Sequence, residues 1–233
     1  MGVLSGNAQL AEQGTRDNTA ERLVEGLKFD YFFIVLSAIF VGGLFLDGWA
    51  HNHGMVDDSF FTPWHAFFYG GFALIALSLI GAALLNHRSG APWRAVLPAG
   101  YGLAALGAII FSGGGVGDLV WHELFGIEED FEALVSPTHL LLGIGMALIV
   151  TAPLRAAWRR PDSAGWHGLA PALLSATLLL SIFTFFMMFS HPLMSIIGGR
   201  AHSAFNQEVG QVAGVISLML IAALLLGVLF VLL

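Results

Sequence analysis

The chain has 233 residues, 57% hydrophobic and 11% charged, with a formal net charge of -7 and a mean hydropathy of +0.79. That is more apolar surface than a soluble domain of this length can bury, so the bilayer is its solvent. The absence of cysteine excludes disulfides, iron–sulfur clusters and thiolate zinc sites, and nine scattered Lys/Arg in an acidic chain exclude a nucleic-acid surface.

Residues 1–28 form a polar arm without the apolar core of a signal peptide, so the first span is expected to serve as its own insertion signal. Within this arm Asn18, followed three residues later by Glu21, reads as a helix start and predicts a short amphipathic helix. Six apolar stretches follow, near 29–50, 60–85, 95–116, 137–154, 169–190 and 211–233. At about 20 residues each they suffice to cross a ~30 Å hydrocarbon core. The predicted fold is an all-α integral membrane protein with one domain over 29–233. Its six transmembrane helices form three hairpin repeats, near 29–90, 91–160 and 165–233.

Basic residues orient the bundle. Arg16, Arg22 and Lys28 in the arm, Arg88 and Arg94 in the second loop, and Arg155, Arg159 and Arg160 in the fourth share one side, while Arg200 alone falls on the other. The positive-inside rule makes the basic side cytoplasmic, with both termini, and predicts a multi-pass protein of the inner membrane. The opposite, periplasmic or extracellular rim collects Asp47, Asp57, Asp58, Asp118, Glu123, Glu128, Glu129, Asp130, Glu132 and Glu208, a charge distribution that attracts cations. The inner halves of the spans read as free of ionisable residues.

One pattern occurs twice on the acidic rim. Asp47-Gly-Trp-Ala-His51 is followed after 13 residues by His65 in Thr62-Pro63-Trp64-His65; Asp118-Leu-Val-Trp-His122 is followed after 16 residues by His139 in Ser136-Pro137-Thr138-His139. Asp and His four apart project from one helix face. Thr or Ser followed by Pro is a helix start, which places the second His in the first turn. Each hairpin is therefore expected to bring Asp, His and His together at the membrane edge as a metal site. A purely structural Asp/His pair would give the third residue no reason to recur.

A third hairpin carries a worn copy, with His191 and Glu208 at the spacing of His122 and His139 and with Met187 at the Asp position. Met187, Met188 and Met194 offer thioethers that suit Cu(I), although Met is also ordinary core filler. His53 is a candidate extra ligand and Glu123 a candidate proton acceptor. Trp49, Trp64 and Trp121 fit an interfacial aromatic belt. The glycine-rich run from Ser112 to Gly117 lacks a phosphate loop's Lys and reads as helix packing. Two imidazoles and one carboxylate with open positions suit non-haem iron, zinc or copper.

The segment from Asp47 to Tyr69 resembles the metal-site segment of the C subunit of the copper membrane monooxygenases, which oxidise methane, ammonia or short hydrocarbons. That subunit carries an Asp-x3-His…His copper site and then an Asn/His/His cluster on its next hairpin. By position Asp47, His51 and His65 match the first, and Asp118, His122 and His139 the second, over roughly residues 44–146. The chain departs from the family in having Asp118 in place of Asn, in spacers longer than the family's twelve residues, and in having its motif hairpins first. The resemblance implies copper as the metal, with iron or zinc as the alternatives. It further implies O2-dependent hydroxylation of a small apolar substrate, a quinol or other electron donor, and a trimer of heteromers with a cupredoxin-bearing subunit and a second helical subunit.

Two other functions use the same residues. A metal-ion transporter would also have an acidic rim, but it needs ligands across the cytoplasmic half of the membrane. A bis-histidine haem anchor would use His65 and His139 as axial ligands and leave both Asp residues without a purpose.

Overall fold

The computed structural model describes residues 23–55, 60–126, 132–160 and 165–187, together with the isolated positions Met219 and Ala223. The elements are α1 (Leu27–Asn52), α2 (Pro63–Arg88), a 3-10 turn (Trp93–Ala95), α3 (Gly102–Phe125), a one-turn α4 (Glu132–Val135), α5 (Pro137–Val150), α6 (Ala152–Trp158) and α7 (Trp166–Phe186). No strand occurs among the described residues. Five stretches are long and apolar enough to cross a bilayer: Leu27–His51, Pro63–Arg88, Gly102–Phe125, Pro137–Trp158 and Trp166–Phe186. The sixth predicted span, most of the third hairpin with His191 and Glu208, and the amphipathic helix of the arm lie outside the described residues.

These helices are apolar on their outer faces as well as inside. Phe32, Val35, Leu77, Ile80, Ile109, Val116 and Ile144 are exposed on the bundle surface, as hydrocarbon-facing residues must be. Inside, Phe33, Phe40, Ile75, Tyr101, Phe111, Met146 and Ile149 are fully buried and form one continuous core. Helix α1 packs on α2, α3 packs on α5, and α7 lies against α1, α5 and α6, so that two hairpins are joined by the fifth span. Small residues set both hairpin contacts. A Cβ on Gly71 would stand 2.9 Å from the Cα of Phe40, and one on Gly107 would stand 2.7 Å from the carbonyl oxygen of Gly145.

The fourth span runs to Trp158 rather than to residue 154, and it bends. Pro153, one residue into α6, ends the regular ladder of α5 at Thr151. Carbonyls at the break find side-chain donors: the Arg155 guanidinium, which also bonds the Gly100 carbonyl ahead of α3, bonds that of Leu148, and the buried Ser175 hydroxyl bonds that of Val150.

At the basic end the inner half of α1 is not free of charge. Asp30, near the start of the helix, is 1% exposed; it accepts a 2.6 Å hydrogen bond from the Tyr101 hydroxyl and pairs with the Arg160 guanidinium. Burial and the Asp30 charge together push the Tyr101 phenol above its ordinary range, which keeps it a donor. Beside this cluster the fully buried Asn86 side chain accepts from the Val24 amide and donates to the carbonyls of Val24 and Val96. The starts of α1 and α3 and the ends of α2 and α6 are thereby tied together at one end of the bundle, and the two Asp/His/His trios stand at the other.

Candidate metal centre

Each hairpin assembles its trio from one helix end and the next helix start. In the first, Asp47 and His51 lie one turn apart near the end of α1. Thr62 caps α2 by accepting from the His65 amide at 3.1 Å, and Pro63 occupies the first turn. In the second, Asp118 and His122 lie near the end of α3, and Ser136 caps α5 by accepting from the His139 amide at 3.4 Å, followed by Pro137. The donor atoms of Asp47, His51 and His65 all lie within 4.8 Å of one another, as do those of Asp118, His122 and His139. His53 and Glu123 join neither group; His53 is exposed, donates from Nδ1 to the Trp49 carbonyl and lies tilted against the Trp49 ring at 4.6 Å. Met187 ends α7, and Met188 and Met194 are outside the described residues.

The spacing within the trios is informative. The Nε2 atoms of His51 and His65 stand 3.8 and 3.4 Å from Asp47 Oδ2, and those of His122 and His139 stand 3.6 and 3.5 Å from Asp118 Oδ1. A direct N–H···O hydrogen bond is shorter, about 2.7–3.2 Å. Two donors each about 2.1 Å from a tetrahedral ion stand about 3.4 Å apart. The distances therefore match neighbouring vertices of a coordination sphere better than an Asp–His hydrogen bond.

The tautomers follow the same logic. His65 Nδ1 is 2.6 Å from the Phe60 carbonyl, His122 Nδ1 is 3.3 Å from the Gly126 carbonyl, and His139 Nδ1 is 2.6 Å from the Ser136 hydroxyl. A carbonyl accepts only, so at His65 and His122 the proton resides on Nδ1 and the Nε2 lone pair is directed into the trio.

The two trios differ in what completes the carboxylate. Asp118, 2% exposed, receives the Thr138 hydroxyl at 3.1 Å on Oδ1. At the equivalent position the first trio has Trp64, whose indole N–H turns away to the Met55 carbonyl, and the buried Oδ1 of Asp47 has no hydrogen-bond partner among the described residues. A buried carboxylate oxygen with no donor is costly, and a cation beside it removes that cost. By donor type and spacing both trios fit a divalent ion held by two imidazoles and one carboxylate, and the orphaned oxygen of Asp47 adds to the case for the first.

Sequence reasoning missed the groups between the trios. The Phe60 ring lies 4.8 Å from His65 and 6.1 Å from His122, spanning from one trio to the other. Tyr69, one turn after His65 on α2, lies in the electrostatic field of both Asp118 and Asp47. A cavity of about 40 Å³ is lined by His65, Tyr69, Asp118 and His139, with Phe185 and Met146 among its apolar walls. The spacing of four between His65 and Tyr69 was the available signal, obscured by the many aromatic residues of the spans.

Comparisons of the chain with protein families, with curated proteins and with solved structures find no match.

Proposed function

We propose that this multi-pass membrane protein holds one metal ion in each Asp/His/His trio, near the non-cytoplasmic face of an inner membrane, and that the metal is copper. Asp47, His51 and His65 would hold one ion, and Asp118, His122 and His139 the other. The observation that carries the metal reading is the 3.4–3.8 Å spacing of imidazole and carboxylate donors in both trios, with the orphaned oxygen of Asp47 beside it. Copper rests on the resemblance to the C subunit of the copper membrane monooxygenases, as do O2-dependent hydroxylation of methane, a short alkane or ammonia and assembly with a cupredoxin-bearing and a second helical subunit. Copper in such a site supplies O2 binding and activation. The chain itself supplies Nε2 and carboxylate donors of fixed orientation, apolar walls around the space between the trios, and the carbonyl acceptors that set the tautomers of His65 and His122.

A transporter fits less well. Both trios of the described residues sit at one end of the bundle, and the ionisable group in the inner half of α1, Asp30, is already engaged by Tyr101 and Arg160. A haem anchor would leave the two carboxylates, each close to both of its imidazoles, without a role.

Metal analysis of the purified, copper-loaded protein tests the reading. Two equivalents per chain are expected, falling to one in Asp47→Ala/His51→Ala and to one in Asp118→Ala/His122→Ala, with nitrogen hyperfine structure from imidazole in the Cu(II) spectrum. An unchanged stoichiometry in either double variant refutes the assignment of that trio, and an intense Soret band in protein purified from its native membrane would favour haem instead.

A further inference from the structure

The groups that line the cavity between the trios do not belong to one trio. His65 comes from the first, Asp118 and His139 come from the second, and the ring of Tyr69 lies 6.2 Å from that of His65, in the field of both carboxylates. The Tyr69 hydroxyl is buried and has no hydrogen-bond partner among the described residues. A buried hydroxyl without a partner is destabilising in a membrane interior, where no solvent replaces the missing bond.

The opposing helix makes room for the ring in this position. A Cβ on Gly115, three residues before Asp118, would stand 2.9 Å from Tyr69 Cε1 and 3.2 Å from its hydroxyl oxygen, so any larger residue there would displace the phenol. The space left over, about 40 Å³, exceeds the roughly 10–15 Å³ that a single water requires, so it admits a water or a small anion. Tyr69 lines this space, and its unpartnered hydroxyl can donate a hydrogen bond to a small electron-rich atom there.

Building on the proposed metal sites, we infer that Tyr69 is a positioning residue. Its hydroxyl donates a hydrogen bond to a single small ligand, a water, a hydroxide or an anion of similar size, that occupies the cavity shared by the two trios. The trios then work on one bound molecule from two sides. Tyr69 adds no donor to either Asp/His/His trio, and its removal leaves all six in place.

Azide titration of the copper-loaded full-length protein, followed by its charge-transfer band, provides the test. One azide is expected per chain carrying two metal ions. In Tyr69→Phe the metal content stays at two and azide binds about tenfold or more weakly, the loss typical of a hydrogen bond to a charged acceptor. Gly115→Ala, which keeps the hydroxyl but displaces the ring, weakens azide in the same direction. Because the hydroxyl has no hydrogen-bond partner among the described residues, metal-free Tyr69→Phe melts at or above the metal-free parent, which separates this role from a structural one.

Two independent azides per chain, or an azide affinity unaffected by Tyr69→Phe, overturns the inference while leaving the metal sites standing. Loss of metal from Tyr69→Phe also overturns it, by making Tyr69 a ligand. A parent protein that binds no metal refutes the metal reading itself, and this inference falls with it.

Discussion

At the residue scale the two trios look alike in sequence but are supported differently, and the difference is measurable. Ser136 has two tasks: its hydroxyl caps α5 by accepting from the His139 amide and also lies 2.6 Å from His139 Nδ1. Thr62 has only the first, because His65 Nδ1 is held by the Phe60 carbonyl. Each cap is worth about 1 kcal/mol, so Ser136→Ala and Thr62→Ala should destabilise the protein to a similar degree. Ser136→Ala should in addition weaken metal at the second trio by about tenfold, the low end of what loss of a ligand's supporting hydrogen bond costs, while Thr62→Ala leaves the first trio's affinity unchanged. Chelator competition on the two variants reads both effects, and equal affinity losses would contradict the assigned partners of the two Nδ1 atoms, Ser136 for His139 and the Phe60 carbonyl for His65. The six trio residues were legible because Asp-x3-His and the Ser/Thr-Pro-x-His helix start are local patterns. Thr138, which donates to Asp118, was not, since its partner lies 20 residues away and a Thr in a first turn is unremarkable by itself.

At the element scale the positions of the trios depend on how closely each pair of helices packs. In the α3–α5 hairpin Gly107 and Gly145 face each other. A Cβ on Gly107 would meet the Gly145 carbonyl at 2.7 Å, and one on Gly145 would meet the Phe111 backbone nitrogen at 2.8 Å. Backbone atoms cannot rotate away as a side chain can, so the helices themselves must part. Gly145→Val is expected to cost about 2 kcal/mol, the middle of the overpacking range. It should loosen the second trio more than the first, which is carried on α1 and α2. Unfolding in mixed micelles together with metal retention at each site checks this; unchanged stability would mean that the hairpin has slack the geometry does not show. The glycine run next to Asp118 was legible as a packing surface, and Gly114 does lie against Leu142. The bend of the fourth span was not. An Arg four residues past the Thr151 break reads as a loop charge until its guanidinium is seen bonding the carbonyls of Leu148 and Gly100.

At the scale of the whole molecule the bundle has two polar ends built on different principles. At the acidic end, carboxylates and imidazoles are spaced apart around room for a cation; at the basic end, Asp30 is in direct contact with Tyr101 and Arg160, with nothing left between them. Composition and charge asymmetry made the spans and the two ends legible. The Asp30 cluster was hidden because its partners lie 71 and 130 residues away, and no local pattern links positions so far apart. With the proposed metal sites the physical consequence is a division of labour: the basic end holds α1, α3 and α6 together, and the acidic end is the one proposed to bind. Asp30→Ala takes the acceptor from the buried Tyr101 hydroxyl and one partner from the Arg160 guanidinium, and removing one member of a largely buried pair costs about 3 kcal/mol. The variant should therefore unfold at markedly lower denaturant and yet, while folded, retain two metal equivalents. Asp118→Ala should do the reverse, losing a metal equivalent with less effect on the metal-free fold, because the carboxylate it removes accepts a hydrogen bond from a neutral donor, the Thr138 hydroxyl, while its two imidazole neighbours stand apart from it. If Asp30→Ala emptied the trios in protein that remained folded, the two ends would be coupled through the bundle, and the separation of a binding end from a structural end would be wrong.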